Sequence, residues 1–120
     1  MKVCVCGSRD FTNYDMAHKV IYAYFTTFVE GWKVKGEIVS GCARGADSLG
    51  EQFAKEYGLK CHRYPANWAK YGKSAGFVRN HRMADVSDVI IAFWDGTSRG
   101  TEHMIHICEK MNKKVYVINV

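Results

Sequence analysis

The most apolar run of the chain lies late in the sequence, between Asp88 and Asp95, and holds six consecutive apolar residues. A short run without polar alternation is typical of a central parallel strand that is buried on both faces. Parallel strands need long crossover connections, usually helices. The run therefore predicts an α/β fold in which helices cover both faces of a mostly parallel sheet.

Four other short strand-like runs alternate with segments of helical spacing. We expect strands at residues 3–6, 37–40, 60–64, 88–95 and 114–119, and helices at 15–29, 47–57, 75–86 and 100–111, with an irregular segment at 65–74. Right-handed crossovers then favour a three-layer, Rossmann-like domain with five strands in the order 3-2-1-4-5. The length of 120 residues fits one such domain over residues 1–120.

Composition narrows the class of protein further. The apolar run after Met1 is far shorter than a signal sequence or a membrane span. Five cysteines at irregular spacing fit a reducing compartment better than a disulfide framework, so we expect a cytoplasmic protein without membrane contact. His103 and His106 are three residues apart, but no ligand set at zinc spacing accompanies them, so we expect no metal. No required cofactor is expected either.

Three loops that follow predicted strands each combine small residues with an arginine. Their candidate ligand-binding residues are Gly7, Ser8, Arg9, Gly41, Arg44, Gly45, Asp47, Arg99, Gly100 and Thr101. Glycines let backbone N–H groups approach a ligand, helix N-termini favour anions, and a guanidinium binds phosphate with two hydrogen bonds. Carboxyl ends of parallel strands meet at one sheet edge. The loops therefore predict one anion-binding pocket.

Each loop also has a purely structural interpretation. Arg9 could pair with Asp10, and Arg44 could form a salt bridge across its loop. Asp47 could cap the second helix or accept a ribose hydroxyl, and Thr101 could cap the last helix.

The segment from Asn67 to Arg82 interleaves aromatic and basic residues. Aromatic faces stack on bases while lysine and arginine neutralise phosphates, so the segment could hold a nucleotide base or a single strand of nucleic acid. Arg79 and Asn80 are its candidate ligand residues. The alternative is a solvated basic loop whose Trp68 and Tyr71 pack on the core.

Charge and surface patterning leave the partner open. The net charge of +5 suits an acidic partner, which leaves nucleotide, nucleic acid and simple solubility as interpretations. An exposed apolar helix face formed by Phe25, Phe28 and Trp32 would favour a homodimer.

Taken together, these motifs resemble the YspA-type, YpsA-related branch of the SLOG superfamily, Rossmann-like relatives of the Lonely Guy phosphoribohydrolases. The motifs that carry the resemblance are residues 7–11, 40–47, 65–73, 75–80 and 91–101. The resemblance implies binding of a nucleotide or a nucleotide-derived ligand such as an NAD- or ADP-ribose-like molecule. Two positions depart from the family pattern, which has glycine at Cys42 and aspartate at Asn67.

Catalysis is less well supported than binding. Lonely Guy enzymes carry glutamates at positions that match His103 and Met104 here, and Glu102 is out of register with them. Glu102 and Asp95 are therefore weak acid/base candidates. An N-glycosidic phosphoribohydrolase of nucleoside monophosphates is the alternative to binding alone, and a single-stranded nucleic-acid binder is a further alternative.

Overall fold

The computed structural model describes residues 1–28 and 34–120. Helices separate the consecutive strands along these residues. Their bounds are β1 Lys2–Gly7, α1 Tyr14–Phe28, β2 Glu37–Ser40, α2 Ala46–Tyr57, β3 Lys60–Arg63, α3 Trp68–Tyr71, α4 Ala75–Val86, β4 Val89–Trp94, α5 Arg99–Lys110 and β5 Lys114–Asn119. Two helices, α3 and α4, lie between β3 and β4. The last predicted residue of the first helix, Val29, lies outside the described residues.

The five described strands form one parallel sheet in the order β3-β2-β1-β4-β5. The central strand β1 pairs with β2 on one side and with β4 on the other, so that Cys4 lies between Val39 and Ile90. This confirms the predicted Rossmann-like fold and strand order. The order reverses between β1 and β4, which is where such sheets bind ligands beyond their carboxyl ends.

Both faces of the sheet are covered, as the apolar run in β4 predicts. Val5 and Ile91 pack in a core with α1 and α2, whereas Cys6 and Ile90 pack in a second core with α4 and α5. Side chains alternate across a strand, so one apolar run supplies both cores. Cys4 and Cys6 share a buried face, where cysteine behaves as a small hydrophobe.

Two element boundaries differ from the prediction for local reasons. Helix α2 begins at Ala46, with Gly45 at its N-cap position, and ends at Tyr57, followed by the C-cap residue Gly58, whose φ of 66° is left-handed. The predicted irregular segment contains the one-turn helix α3, because the Asn67 side chain accepts a hydrogen bond from the Lys70 N–H group at 3.1 Å. A single turn is too short to produce a readable periodicity.

The prediction of an exposed apolar face on α1 is wrong for Phe25. Phe25 is fully buried and its ring stacks on Phe53 at 5.9 Å, because it lies one turn beyond the core residue Ile21. The Phe28 side chain and Trp32 lie outside the described residues. A homodimer stays a prediction, and the buried Phe25 can no longer be part of its contact face. Among the described helices, none is both long and apolar enough to cross a bilayer.

Candidate ligand-binding cleft

A cleft of about 210 Å³ lies at the carboxyl ends of β1 and β4, where the strand order reverses. It is formed by the loops after β1 and β2, by α4 and by the first turn of α5. Its lining residues are Cys6, Gly7, Arg9, Ala43, Asp47, Arg79, Asn80, Met83, Ser98, Gly100, Thr101 and Met104.

The candidate residues predicted from the sequence divide into two groups. Those that line the cleft are Gly7, Arg9, Asp47, Arg79, Asn80, Gly100 and Thr101. Gly41 lines an adjoining hollow. Those that do not line the cleft are Ser8, Arg44, Gly45 and Arg99. The structure therefore brings together side chains from the three loops and from the segment on α4.

Two of the glycines allow the loops to pack against each other. Gly7 has a φ of 149°, and a Cβ there would come within 2.1 Å of the Phe93 carbonyl oxygen. Gly45 has a φ of 79°, and a Cβ there would come within 2.4 Å of the carbonyl oxygens of Ser8 and Arg9. Both glycines are required by the protein's own backbone, whether or not a ligand binds.

Ser8 connects the loops that follow the two central strands. Its N–H group donates to the Phe93 carbonyl at 2.8 Å, and its buried hydroxyl accepts from the Asp95 N–H group at 3.0 Å. The side chain is thus engaged in holding the loops beside the cleft.

Arg79 is held in a fixed orientation at the cleft. Its Nη1 donates to the Gly41 carbonyl, and its Nε donates to the Asn80 Oδ1 at 3.1 Å. Among the described residues, no hydrogen bond is made by its Nη2. A guanidinium that is oriented in this way can donate to an anion with little further loss of side-chain entropy.

Asn80 connects this arginine to α5. Its buried side-chain amide donates to the Gly100 carbonyl at 3.2 Å and contacts the His103 Nδ1 at 3.2 Å. Its Oδ1 is already occupied by Arg79. Asn80 therefore lies in the cleft wall, where it positions Arg79 relative to the first turn of α5.

Asp47 is a buried carboxylate in the cleft wall. Its Oδ2 accepts from the Ala43 N–H group at 3.4 Å, and α2 has no side-chain cap. The carboxylate therefore supports the loop after β2 and does not cap the helix. Burial raises its pKa to about 6, although the positive charge of Arg79 opposes the shift.

The first turn of α5 lines the cleft through Gly100 and Thr101, next to Ser98. Ser98 is the N-cap residue and makes no side-chain cap, and the buried Thr101 hydroxyl lies 3.0 Å from the Ser98 hydroxyl. Thr101 is inside the helix and is not its cap. The first N–H groups of a helix have no intrahelical acceptor and favour an anion.

Gly100 differs from the loop glycines. A Cβ at this position would meet no atom within 4 Å, and its φ is not in the left-handed region. The fold therefore does not require glycine here. Because Gly100 lines the cleft, the missing side chain leaves that space open.

The loop arginines are placed unequally. Arg9 is exposed and lines the cleft. Arg44 has a 76% exposed side chain whose Nη2 lies 3.8 Å from the Asp10 Oδ1, so it pairs with the loop after β1 and not across its own loop. Arg99 is exposed at the start of α5.

The two weak acid/base candidates lie outside the cleft lining. Asp95 is exposed, and its Oδ1 accepts from the N–H groups of Thr97 and Ser98, both at 2.8 Å. These hydrogen bonds hold the pKa of Asp95 below its ordinary value, which suits a loop acceptor and not a general acid. Glu102 is exposed and lies 3.7 Å from His106, one turn along α5.

Two further hollows continue from the cleft. The bridging hollow, about 180 Å³, shares Arg9, Ala43 and Arg79 with the cleft. The Trp68 groove, about 610 Å³, shares Trp68 and Arg79 with the bridging hollow. The side chains that line the Trp68 groove come from residues 63–69, Tyr71, Ala75, Val78, Arg79 and Arg82. The sequence does not predict that these spaces adjoin, because their arrangement depends on how α3 packs beside α4.

The aromatic residues of this segment do not share one environment. Trp68 is 55% exposed, so it does not pack into the core as the structural alternative supposes. Tyr71 is half-buried, and its hydroxyl accepts from the Arg82 Nη2 at 3.3 Å.

Cys42 occupies a position that favours glycine. Its φ of 63° lies in the left-handed region, which few residues other than glycine adopt readily. The glycine of the resembled family at this position thus has a backbone explanation. The turn is supported here by a hydrogen bond of 3.1 Å from the Cys42 N–H group to the Ser40 hydroxyl.

A comparison with models of protein families identifies the family to which this chain belongs. The model of the YspA, cpYpsA-related SLOG family (YAcAr) matches residues 1–71, which is more than half of the chain. The chain belongs to this SLOG family. The match includes Arg9, Asp47 and Trp68, whereas Arg79 and α5 lie beyond it.

Two known proteins are similar to this SLOG chain. The Gene 61 protein of Mycobacterium phage D29 is 34% identical over 79 residues, which cover 61% of this chain and 63% of that protein. The X-ray structure of DNA processing protein A (DprA) from Streptococcus pneumoniae superposes with a TM-score of 0.77 at 19% identity, covering 99% of this chain and half of that one. The chain thus spans less than two thirds of either protein, and the second likeness supports the Rossmann-like fold.

Proposed function

We propose that the cleft binds the phosphate-bearing part of a nucleotide or a nucleotide-derived ligand, such as an NAD- or ADP-ribose-like molecule. The observation that carries the proposal is the fixed guanidinium of Arg79, whose Nη2 is without a hydrogen-bond partner among the described residues. Arg9 and the first turn of α5 line the same cleft.

The chemistry of the cleft suits a phosphate better than a neutral ligand. Two guanidinium groups can donate charge-assisted hydrogen bonds, and the helix N-terminus adds backbone donors. A volume of about 210 Å³ is below the range of whole drug-sized ligands, so the cleft accommodates only part of a nucleotide. Membership of a SLOG family supports a nucleotide-related ligand.

Thermal unfolding with added nucleotides tests the proposal. AMP, ADP, NAD and ADP-ribose are each added over a range that reaches millimolar concentration. A ligand at 100 times its Kd stabilises the folded state by about 2.7 kcal/mol, which raises the Tm by roughly 10 °C for a chain of this size. An unchanged Tm with all four compounds would contradict the proposal.

A second candidate, binding of single-stranded nucleic acid, is favoured by the distribution of charge. Residues 57–84 contain six lysines and arginines and no acidic residue, whereas all other residues together carry 11 basic and 12 acidic residues. The positive excess of the chain thus lies in the segment that lines the Trp68 groove. The likeness to DprA, whose name describes DNA processing, supports testing it.

Salt dependence separates the second candidate from the first. Affinity for a single-stranded oligonucleotide that contacts several phosphates falls steeply as salt rises, with a slope of about −0.7 per contact on logarithmic axes. Weak oligonucleotide binding, or binding that does not change with salt, would remove this candidate.

Cleavage of an N-glycosidic bond remains a proposal of its own, and the structure alters which residue would serve it. Asp47 lies in the cleft with a pKa raised to about 6, whereas Asp95 and Glu102 lie outside the cleft lining. A carboxyl group with a pKa near neutrality can both donate and accept a proton. Chromatography of nucleoside monophosphates after incubation with the protein would show free base if cleavage occurs.

A further inference from the structure

The Trp68 groove opens beside the proposed phosphate site, and the proposed function does not use its aromatic wall. The bridging hollow joins the two, because Arg79 lines all three spaces and Trp68 lines both the bridging hollow and the groove. A ligand that extends from the cleft past Arg79 would therefore reach Trp68.

Trp68 offers an aromatic surface that the fold does not use. Its side chain is 55% exposed, although it lies in a wall formed by Pro65, Ala66 and Tyr71. An exposed tryptophan beside arginines is typical of a surface on which a base stacks. Nearby, Arg63 pairs with Glu51 at 3.1 Å and Arg82 donates to Tyr71. These contacts hold both guanidinium groups at the groove.

We propose that the Trp68 groove binds the base of the ligand whose phosphates lie in the cleft, with Trp68 stacking on that base. This inference rests on the proposed function and makes it more specific. The ligand class is a nucleotide with two linked phosphates, such as a nucleoside diphosphate or its ester. The diphosphate begins in the cleft and extends beside Arg79 toward the bridging hollow, while the base lies on Trp68.

Calorimetric titration of two probes, ADP and inorganic pyrophosphate, tests this assignment. Base stacking on an aromatic side chain strengthens binding by about tenfold or more. We therefore expect the unmodified protein to bind ADP at least about tenfold more tightly than pyrophosphate. Trp68→Ala should remove that difference and leave pyrophosphate affinity unchanged, whereas Trp68→Phe should retain most of it.

The matched control is Phe77→Ala, which removes another exposed aromatic ring of the same region, 48% exposed and outside the groove lining. It should leave the preference for ADP unchanged. ADP should also quench tryptophan fluorescence in the unmodified protein and quench it much less in Trp68→Phe.

The outcomes distinguish this inference from the proposed function. If pyrophosphate and ADP both bind but Trp68→Ala leaves their ratio unchanged, the base subsite is wrong and the phosphate site stands. If neither probe binds the unmodified protein, the proposed function itself fails. If a short oligonucleotide binds through Trp68 while ADP does not, the free-nucleotide assignment is overturned in favour of a strand.

Discussion

Arg79 and Arg44 illustrate two different placements of an arginine beside the same sheet edge. Arg79 projects from α4, is held by Gly41 and Asn80, and lines the cleft, the bridging hollow and the Trp68 groove. Arg44 is on a small-residue loop typical of anion sites, yet its side chain is 76% exposed and forms an ion pair with Asp10 at 3.8 Å. The local sequence context of the two arginines therefore does not predict which one is oriented at the cleft.

The two arginines differ in how much rotamer freedom each side chain retains before a ligand binds. Arg44 would have to give up considerable rotamer freedom to bind, since exposed long side chains are mobile. Arg79 has already lost that freedom, and its orientation is shared with a buried amide. Preorganisation of this kind converts more of the interaction into affinity.

Replacing Arg79 should have the largest effect. Arg79→Gln removes charge-assisted hydrogen bonds to phosphate, so we expect ADP affinity to fall about 100-fold. Arg44→Gln, the matched control on the neighbouring loop, should change affinity less than about twofold, as expected for an exposed ion pair. Calorimetric titration of both variants measures this, and a larger loss for Arg44→Gln would reverse the comparison.

Asn80→Ala sharpens the comparison by loosening Arg79 without removing it. The variant leaves the Gly100 carbonyl and the Arg79 Nε without their shared partner, so we expect affinity to fall about tenfold. Stability should also fall by about 1–3 kcal/mol, the cost of losing buried hydrogen bonds. Urea unfolding and titration measure both. Unchanged affinity in a destabilised variant would show that Asn80 supports the fold alone.

Asp47→Asn removes the negative charge beside Arg79. At pH 7.5 we expect ADP-ribose, whose phosphates do not titrate near neutrality, to bind about fivefold more tightly, because repulsion from a buried carboxylate is lost. At pH 5 the difference should vanish, since the pKa of Asp47 is about 6 and the native carboxyl is then protonated. Asp10→Asn, with a 92% exposed side chain, is the control and should show no such pH dependence.

The raised pKa of Asp47 also makes the stability of the folded chain depend on pH. The folded pKa of this carboxyl, about 6, is above its ordinary value of 3.8, so its contribution to stability is present below pH 3.8 and is lost as the pH rises through 6. The unfolding free energy of Asp47→Asn minus that of the native chain should therefore increase from pH 4 to pH 7, by up to about 3 kcal/mol. A flat difference would contradict the buried, ionised Asp47.

Gly100→Ala should have the smallest effect on affinity. An alanine near the start of α5 meets no atom within 4 Å and improves helix propensity, so the Tm should stay the same or rise slightly. Affinity should fall about threefold because the methyl group occupies ligand space. An unchanged affinity in Gly100→Ala would remove the steric explanation.

The fold was largely predictable because its signals are local and repeated. The apolar β4 run, the helical periodicities and Gly58 each act within a few residues, and parallel crossovers then restrict the topology. The strand order and helix α4 were accordingly predicted. Periodicity shows that Phe25 lies on an apolar helix face, but it does not show whether another element covers that face. Phe53, which stacks on Phe25, comes from another helix and is brought there by tertiary packing.

The candidate site was predictable in position but less so in its individual contacts. Strand ends place the loops together, so Arg9 and Gly100 were found from their motifs. The orientation of Arg79 at the cleft depends on hydrogen bonds between residues far apart in the sequence. Arg79 bonds to Gly41, 38 positions away, and its neighbour Asn80 bonds to Gly100, 20 positions away. No local pattern encodes such distant pairs.

Chemical-shift mapping of the isotopically labelled protein during titration with ADP tests the central claim most directly. We expect the largest shifts on the amides of Gly7, Gly100 and Thr101 and on the side-chain Nε of Arg79, with the Arg44 Nε nearly unchanged. Saturable shifts that centre on Arg44 and Asp10, while Arg79 and the first turn of α5 stay unchanged, would contradict it.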